Sequence, residues 1–97
     1  MLKEKKKEGL LPIGFVALFF GKTVSWLRWC ETQGYFRHAD GQSIIPLRLE
    51  KEGGKTYQRR QYSYQDIIDM ADSLFRLEKI TEAEHSRIIT RVITMRS

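Results

Sequence analysis

The feature that most constrains the fold is one glycine, Gly21, set between two short helix-length patterns. Before it, Val16, Ala17 and Phe20 recur at i, i+1 and i+4, with Ile13 one turn earlier, which predicts a helix over residues 13–20. Pro12 suits its first turn, where a missing N–H costs nothing. Gly21 permits the left-handed conformation that ends such a helix. Thr23 or Ser25 can then cap a second helix running to about Gln33, closed by Gly34. Two short helices joined by so brief a turn form a helix-turn-helix, over residues 13–34. The second helix crowds both tryptophans of the chain and an arginine into one turn, Trp26-Leu27-Arg28-Trp29. Leu27 belongs to a core. Trp29 lies about 200° further round the helix and faces away from it. A large exposed indole is unusual in a soluble monomer, so this side of the helix meets either another element or something other than water.

Downstream the period changes. Residues 43–50 and 55–63 carry β-favouring patterns, and Gly53-Gly54 between them supplies the positive φ angles of a tight turn, which predicts a hairpin over residues 43–62. Pro46 cannot donate to a ladder, so its strand is an edge or carries a bulge. Asp40-Gly41 marks a turn in the loop leading in. Ser63 can cap a third helix from about Tyr64, with Asp66 in its first turn and an apolar face of Ile67, Ile68, Ala71, Leu74, Phe75 and Leu77. Thr81 followed by Glu84 has the spacing of a capping box. It opens a fourth helix with the stripe Ile88, Ile89, Val92, Ile93 and Met95. Residues 64–97 thus hold two helices, and residues 10–97 form one domain behind a lysine-rich arm, residues 1–9. The fold class expected is mainly α with a β-hairpin wing, a winged helix-turn-helix of four helices.

Composition narrows function by exclusion. At 97 residues, 41% hydrophobic and 30% charged, the chain has an ordinary globular balance. Its longest apolar run, residues 15–20, is far too short for a membrane span. No apolar signal segment follows the charged start, and we expect a cytoplasmic protein, associated with the nucleoid, with no membrane partner. A single cysteine rules out an intrachain disulfide and a cysteine-rich metal site, and His38 and His85 show no ligand spacing. No phosphate-cradling loop, nucleophile elbow or paired-carboxylate pattern is present. We expect neither an enzyme nor a cofactor or metal. A net charge of +5 calls for an acidic partner, of which nucleic acid is the commonest.

The sequence from Ile13 to Phe36, IGFVALFFGKTVSWLRWCETQGYF, resembles the N-terminal DNA-binding half of MerR-type regulators. The family's Ile-Gly-x-Val/Leu-Ala start, Gly and Ser/Thr lead-in, Leu-Arg-aromatic-aromatic-Glu run and closing Gly are matched by Ile13, Gly14, Val16, Ala17, Gly21, Thr23, Leu27, Arg28, Trp29, Glu31 and Gly34. The stretch RQYSYQDI, residues 60–67, is similar to the family's junction between wing and third helix. The resemblance covers about two-thirds of the chain. It implies a winged helix whose second helix, residues 25–33, enters the major groove of double-stranded DNA while the wing contacts backbone. It implies phosphate contacts from Arg28, Trp29 and the wing's Arg60, with Thr23, Ser25 and Trp26 at the base-reading end. The wing departs from the family pattern: Arg59 stands where a tyrosine is usual, and Tyr57 lies two residues earlier. Trp26 replaces a small residue and Cys30 an aromatic. Small members of this superfamily resemble phage or mobile-element excisionases and regulators.

The residues taken singly leave alternatives. Arg28 can bind phosphate through two donors or stack on an indole. Trp29 can donate its N–H to phosphate or simply pack. Trp26 either contacts bases or covers the wing. Thr23 and Ser25 can cap the helix, touch DNA, or both, and Lys22 can add a phosphate contact. Arg48, Lys55, Tyr57, Arg59 and Arg60 give the wing its charge and aromatics, either as a DNA surface or as a solvated strand face. The expected function is sequence-specific binding of double-stranded DNA, as a transcription regulator or an excisionase-like recombination directionality factor. The alternative is a protein-interaction module on the same scaffold. Ile88, Ile89, Val92 and Ile93 are the candidate surface for a homodimer or for a recombinase or transcription-machinery partner.

Overall fold

A computed structural model describes residues 10–50 and 58–96, with the backbone alone for 47–50, 58 and 59. The elements are β1 (Leu11–Pro12), α1 (Ile13–Phe20), α2 (Val24–Thr32), β2 (Leu47–Glu50), β3 (Gln58–Tyr62), α3 (Tyr64–Arg76) and α4 (Glu82–Arg96). The described chain is mainly helical, with four helices and one small antiparallel sheet ordered β1-β3-β2.

Helix boundaries follow from local chemistry. Gly21 sits at φ +67°, and the N–H groups of Gly21 and Lys22 donate to Leu18 O and Ala17 O at 3.2 and 3.0 Å, which satisfies the last carbonyls of α1. Thr23, not Ser25, caps α2: its hydroxyl accepts the Trp26 N–H at 3.0 Å. Ser63 and Asp66 form a reciprocal capping box on α3. Thr81 and Glu84 form another on α4, with bonds of 2.8 and 3.1 Å. Helix α3 ends as α1 does, with Lys79 N–H donating to Leu74 O at 2.8 Å, but here the left-handed position is held by Glu78, at φ +61°.

The sheet differs from expectation at both ends. Pro12 is the last residue of a short strand, β1, paired with Gln61, as well as the residue that starts α1. An edge strand tolerates it because the ladder does not need its N–H on that side. Strand β2 is also an edge, but it starts at Leu47 rather than at residue 43. Pro46 lies just before it and is buried, while Ser43 bridges Arg37 instead. Ile44 and Ile45 alternate, one buried and one exposed, as in extended chain, although β2 has not yet begun. The predicted turn at Gly53-Gly54 lies outside the described residues.

The core joins all four helices: Val16, Phe19 and Phe20 from α1, Leu27 and Cys30 from α2, Ile67, Met70 and Leu74 from α3, Ile88 and Val92 from α4. Tyr62 from β3 and Phe36, Ile44 and Ile80 from loops complete it. Ser73 is the one buried polar side chain among the described residues. Its hydroxyl donates to Tyr35 O and accepts from Arg37 N–H, which fixes the chain leaving α2. Arg91 ties the last helix to the first, its Nη1 donating to Phe19 O at 2.8 Å.

The apolar stripes expected on α3 and α4 are narrower than predicted. Phe75 and Leu77 are exposed, Phe75 stacking instead on the His85 ring at 4.7 Å. Ile88 and Val92 are fully in the core, and Ile93 and Met95 are exposed. Residues four apart share a helix face, whereas Ile93 stands about 100° from Val92 and leaves the packed side. The proposed partner surface is corrected accordingly: Ile88 and Val92 are consumed by the protein's own core. No described helix is long and apolar enough to cross a membrane.

Candidate nucleic-acid interface

Leu27 and Cys30 are buried, so they define the inward side of α2. At about 100° per residue, the opposite side carries Ser25, Arg28, Trp29 and Thr32 within a sector about 100° wide. All four are exposed. This ridge starts at the capped end of α2, where backbone N–H groups and the helix dipole favour negative charge. Thr32 turns its hydroxyl back to Arg28 O at 3.0 Å, so the Arg28 side chain, not its backbone, is what the ridge offers to a ligand.

Trp29 is half exposed and half supported. Its ring meets Tyr35 edge-on, with centroids 5.5 Å apart and planes at 84°. Lys79, from the α3–α4 junction, lies over Tyr35 with its Nζ 4.7 Å from the ring centroid. Sequence reading missed both: Tyr35 stands next to last in the stretch from Ile13 to Phe36 but fills no motif position, and Lys79 lies 50 positions after Trp29, where no local pattern links the two. An aromatic pair with a cation against it can take a phosphate or the face of a base.

Trp26 packs toward α1 from the flank of α2, its ring 6.4 Å from that of Phe20, with Lys22 Nζ 5.3 Å from its centroid. Lys22 is also drawn to Glu84 at 3.8 Å, so its charge is shared with α4. The other flank of α2, about 140° from Trp26, carries Glu31.

There the hairpin docks. Arg60 Nη2 lies 3.2 Å from Glu31 Oε1, and both side chains are about three-quarters buried. Arg60, expected at phosphate, here pairs with Glu31 and ties β3 to α2. Its Nη1 is buried without a hydrogen-bond partner among the described residues. Arg48 is the backbone register partner of Arg60, and Arg59 that of Leu49. The side chains of Arg48 and Arg59, and the whole of Lys55 and Tyr57, lie outside what the structure describes.

The remaining titratable chemistry is structural. Cys30 is fully buried, and desolvation pushes its thiol up to about 11, leaving it un-ionised and unreactive at neutral pH. The histidines bond carboxylates of α3, His38 to Asp69 at 3.1 Å and His85 to Asp72 at 2.7 Å. No group of three or more metal-ligating side chains occurs among the described residues.

The chain belongs to a family described as a domain of unknown function, DUF7229, whose model matches residues 14–95. That span runs from α1 into the last turn of α4. No curated protein and no solved structure matches the chain.

Proposed function

We propose that this member of the family is a winged helix-turn-helix protein that binds double-stranded DNA, with α2 in the major groove and the β2–β3 hairpin as the wing beside it. The observation that carries the reading is the exposed ridge Ser25–Arg28–Trp29–Thr32 on a helix whose opposite side is anchored in the core. A helix held rigidly by one face, presenting hydroxyls, an arginine and an indole on the other, fits a groove about 12 Å wide. Ser25 then offers a hydroxyl to base edges as donor or acceptor, and Thr32, whose proton goes to Arg28 O, as acceptor. Arg28 and Trp29 grip phosphates, and Lys79 behind Tyr35 adds a further cation at the far end. The net charge of +5 supports the same partner, as does the likeness of residues 13–36 to MerR-type domains. The role is that of a small transcription regulator or an excisionase-like recombination factor. A dimer on two half-sites about one helical turn apart favours the first, assembly only along DNA the second.

Titration of a random duplex at two salt concentrations tests this directly. Affinity is expected to fall steeply with salt, with each lost phosphate contact reducing the log–log slope by about 0.9. Arg28→Ala and Lys79→Ala should each weaken binding and flatten that slope. Arg96→Ala, at the end of α4, should do neither. Arg60→Ala should weaken binding through the hairpin's placement, and Glu31→Gln should weaken it too, although that change removes a negative charge. If no duplex binds at low salt, the proposal fails.

A further inference from the structure

The flank of α4 beside Ile88 and Val92 forms, with α1, an open groove of about 380 Å³. Its floor is apolar: Phe15, Leu18 and Phe19 of α1 with Met95 of α4. Leu18 is 70% exposed, and Phe15 and Met95 are exposed on either side of it. Soluble proteins seldom leave contiguous apolar surface of this kind uncovered without a use for it. The wall is not apolar. Thr90, Thr94 and Arg91 line it. Arg87 stands on the same face, because seven residues return to within about 20° of Thr94. The two helices run antiparallel here, since Arg91 reaches the carbonyls of Leu18 and Phe19 while Lys22 reaches Glu84. Arg91 and, one turn before it, Arg87 therefore stand toward the end of the groove nearest the Lys22–Glu84 pair. The nearby carboxylate, Glu84, is already engaged by the Thr81 N–H at 2.8 Å and by Lys22.

We propose that the groove receives an amphipathic helix of a partner protein that carries Asp or Glu beside its apolar stripe. The charge selects this occupant over two others. A second copy docked about a twofold axis would bring a second net-positive face, with the same arginines, to the first. The chain's own residues 1–9 are lysine-rich and would meet a cationic wall. An acidic amphipathic helix places leucine-type anchors at i, i+3 or i+4, and i+7 on the floor and sets its carboxylates against the arginines. This surface is independent of DNA binding.

A displayed library of 16-residue helices with fixed apolar anchors and randomised flanking positions, selected on the full chain, tests the proposal. Selected peptides are expected to be enriched in Asp and Glu. Their binding, read by fluorescence anisotropy on one labelled winner, should drop at least tenfold with Arg87→Glu and be lost with Leu18→Asp. Both positions are exposed, and circular dichroism checks that the variants keep the wild-type fold. Failure to enrich any peptide, enrichment of neutral or basic peptides, or binding that survives Leu18→Asp overturns the proposal. So does a concentration-dependent dimer in sedimentation that Leu18→Asp disperses, because the groove would then belong to a second copy.

Discussion

Glu78 and Gly21 occupy the same position at the ends of two helices, and only one of them is suited to it. Both sit in the left-handed region, at φ +61° and +67°. A side chain with a Cβ pays about 1 kcal/mol or more for that conformation, and glycine does not. Glu78→Gly is therefore expected to raise unfolding free energy by about 0.5–1 kcal/mol, part of the gain being offset by glycine's greater freedom in the unfolded chain. Urea denaturation measures it, and a loss of stability would contradict the geometry. The residue scale also shows what sequence could and could not tell. Thr23 as a cap was one of two options because Thr and Ser both accept an N–H, and only backbone geometry chose between them. Trp29 facing away from Leu27 followed from helix periodicity alone. Arg60 did not: its partner, Glu31, lies 29 positions earlier in the chain, and no local pattern announces a contact across that distance.

At the scale of elements, local signals placed the helices well and the strands poorly. Capping pairs such as Thr81 and Glu84 are written within one turn of chain, so α4 was legible from its first residues. Strand β1 is two residues long and exists only because β3 passes beside it, a fact no two-residue pattern can carry. The capping box of α4 also makes a pH prediction. The Thr81 N–H holds the Glu84 carboxyl below its ordinary 4.5; desolvation opposes it, and Lys22, the Thr81 hydroxyl and Arg87 act with it in lesser degree. A carboxyl whose value is lowered by folding stabilises the fold fully above its unfolded value and loses that contribution as pH falls through the folded value. Glu84→Gln keeps an acceptor for the Thr81 N–H but loses the charge, and should thus cost stability at pH 7, about 0.3–1 kcal/mol for a carboxylate at a helix N-terminus. The gap between variant and parent should narrow at pH 3. Denaturant melts at the two pH values give the comparison, and a gap that stays constant would mean that the carboxylate's charge is not what Glu84 contributes.

The whole molecule has one core shared by every helix, so its parts are expected to melt together. Val92 is fully buried at the end of the chain farthest in sequence from α1. Val92→Ala should destabilise by about 1–3 kcal/mol through lost burial and a residual cavity. Tryptophan fluorescence, which reports only α2, should shift its midpoint by the same amount as far-ultraviolet circular dichroism, which reports all four helices. Separate midpoints would show that the ridge-bearing helix stands apart from α4. The bond from Arg91 to the carbonyls of Leu18 and Phe19 then has a consequence for synthesis. A ribosome makes α1 well before the Arg91 side chain that bonds its last carbonyls. Helix α1 therefore gains those bonds only after residue 91 has cleared the exit tunnel. A chain stalled before that point would lack this tie between α1 and α4.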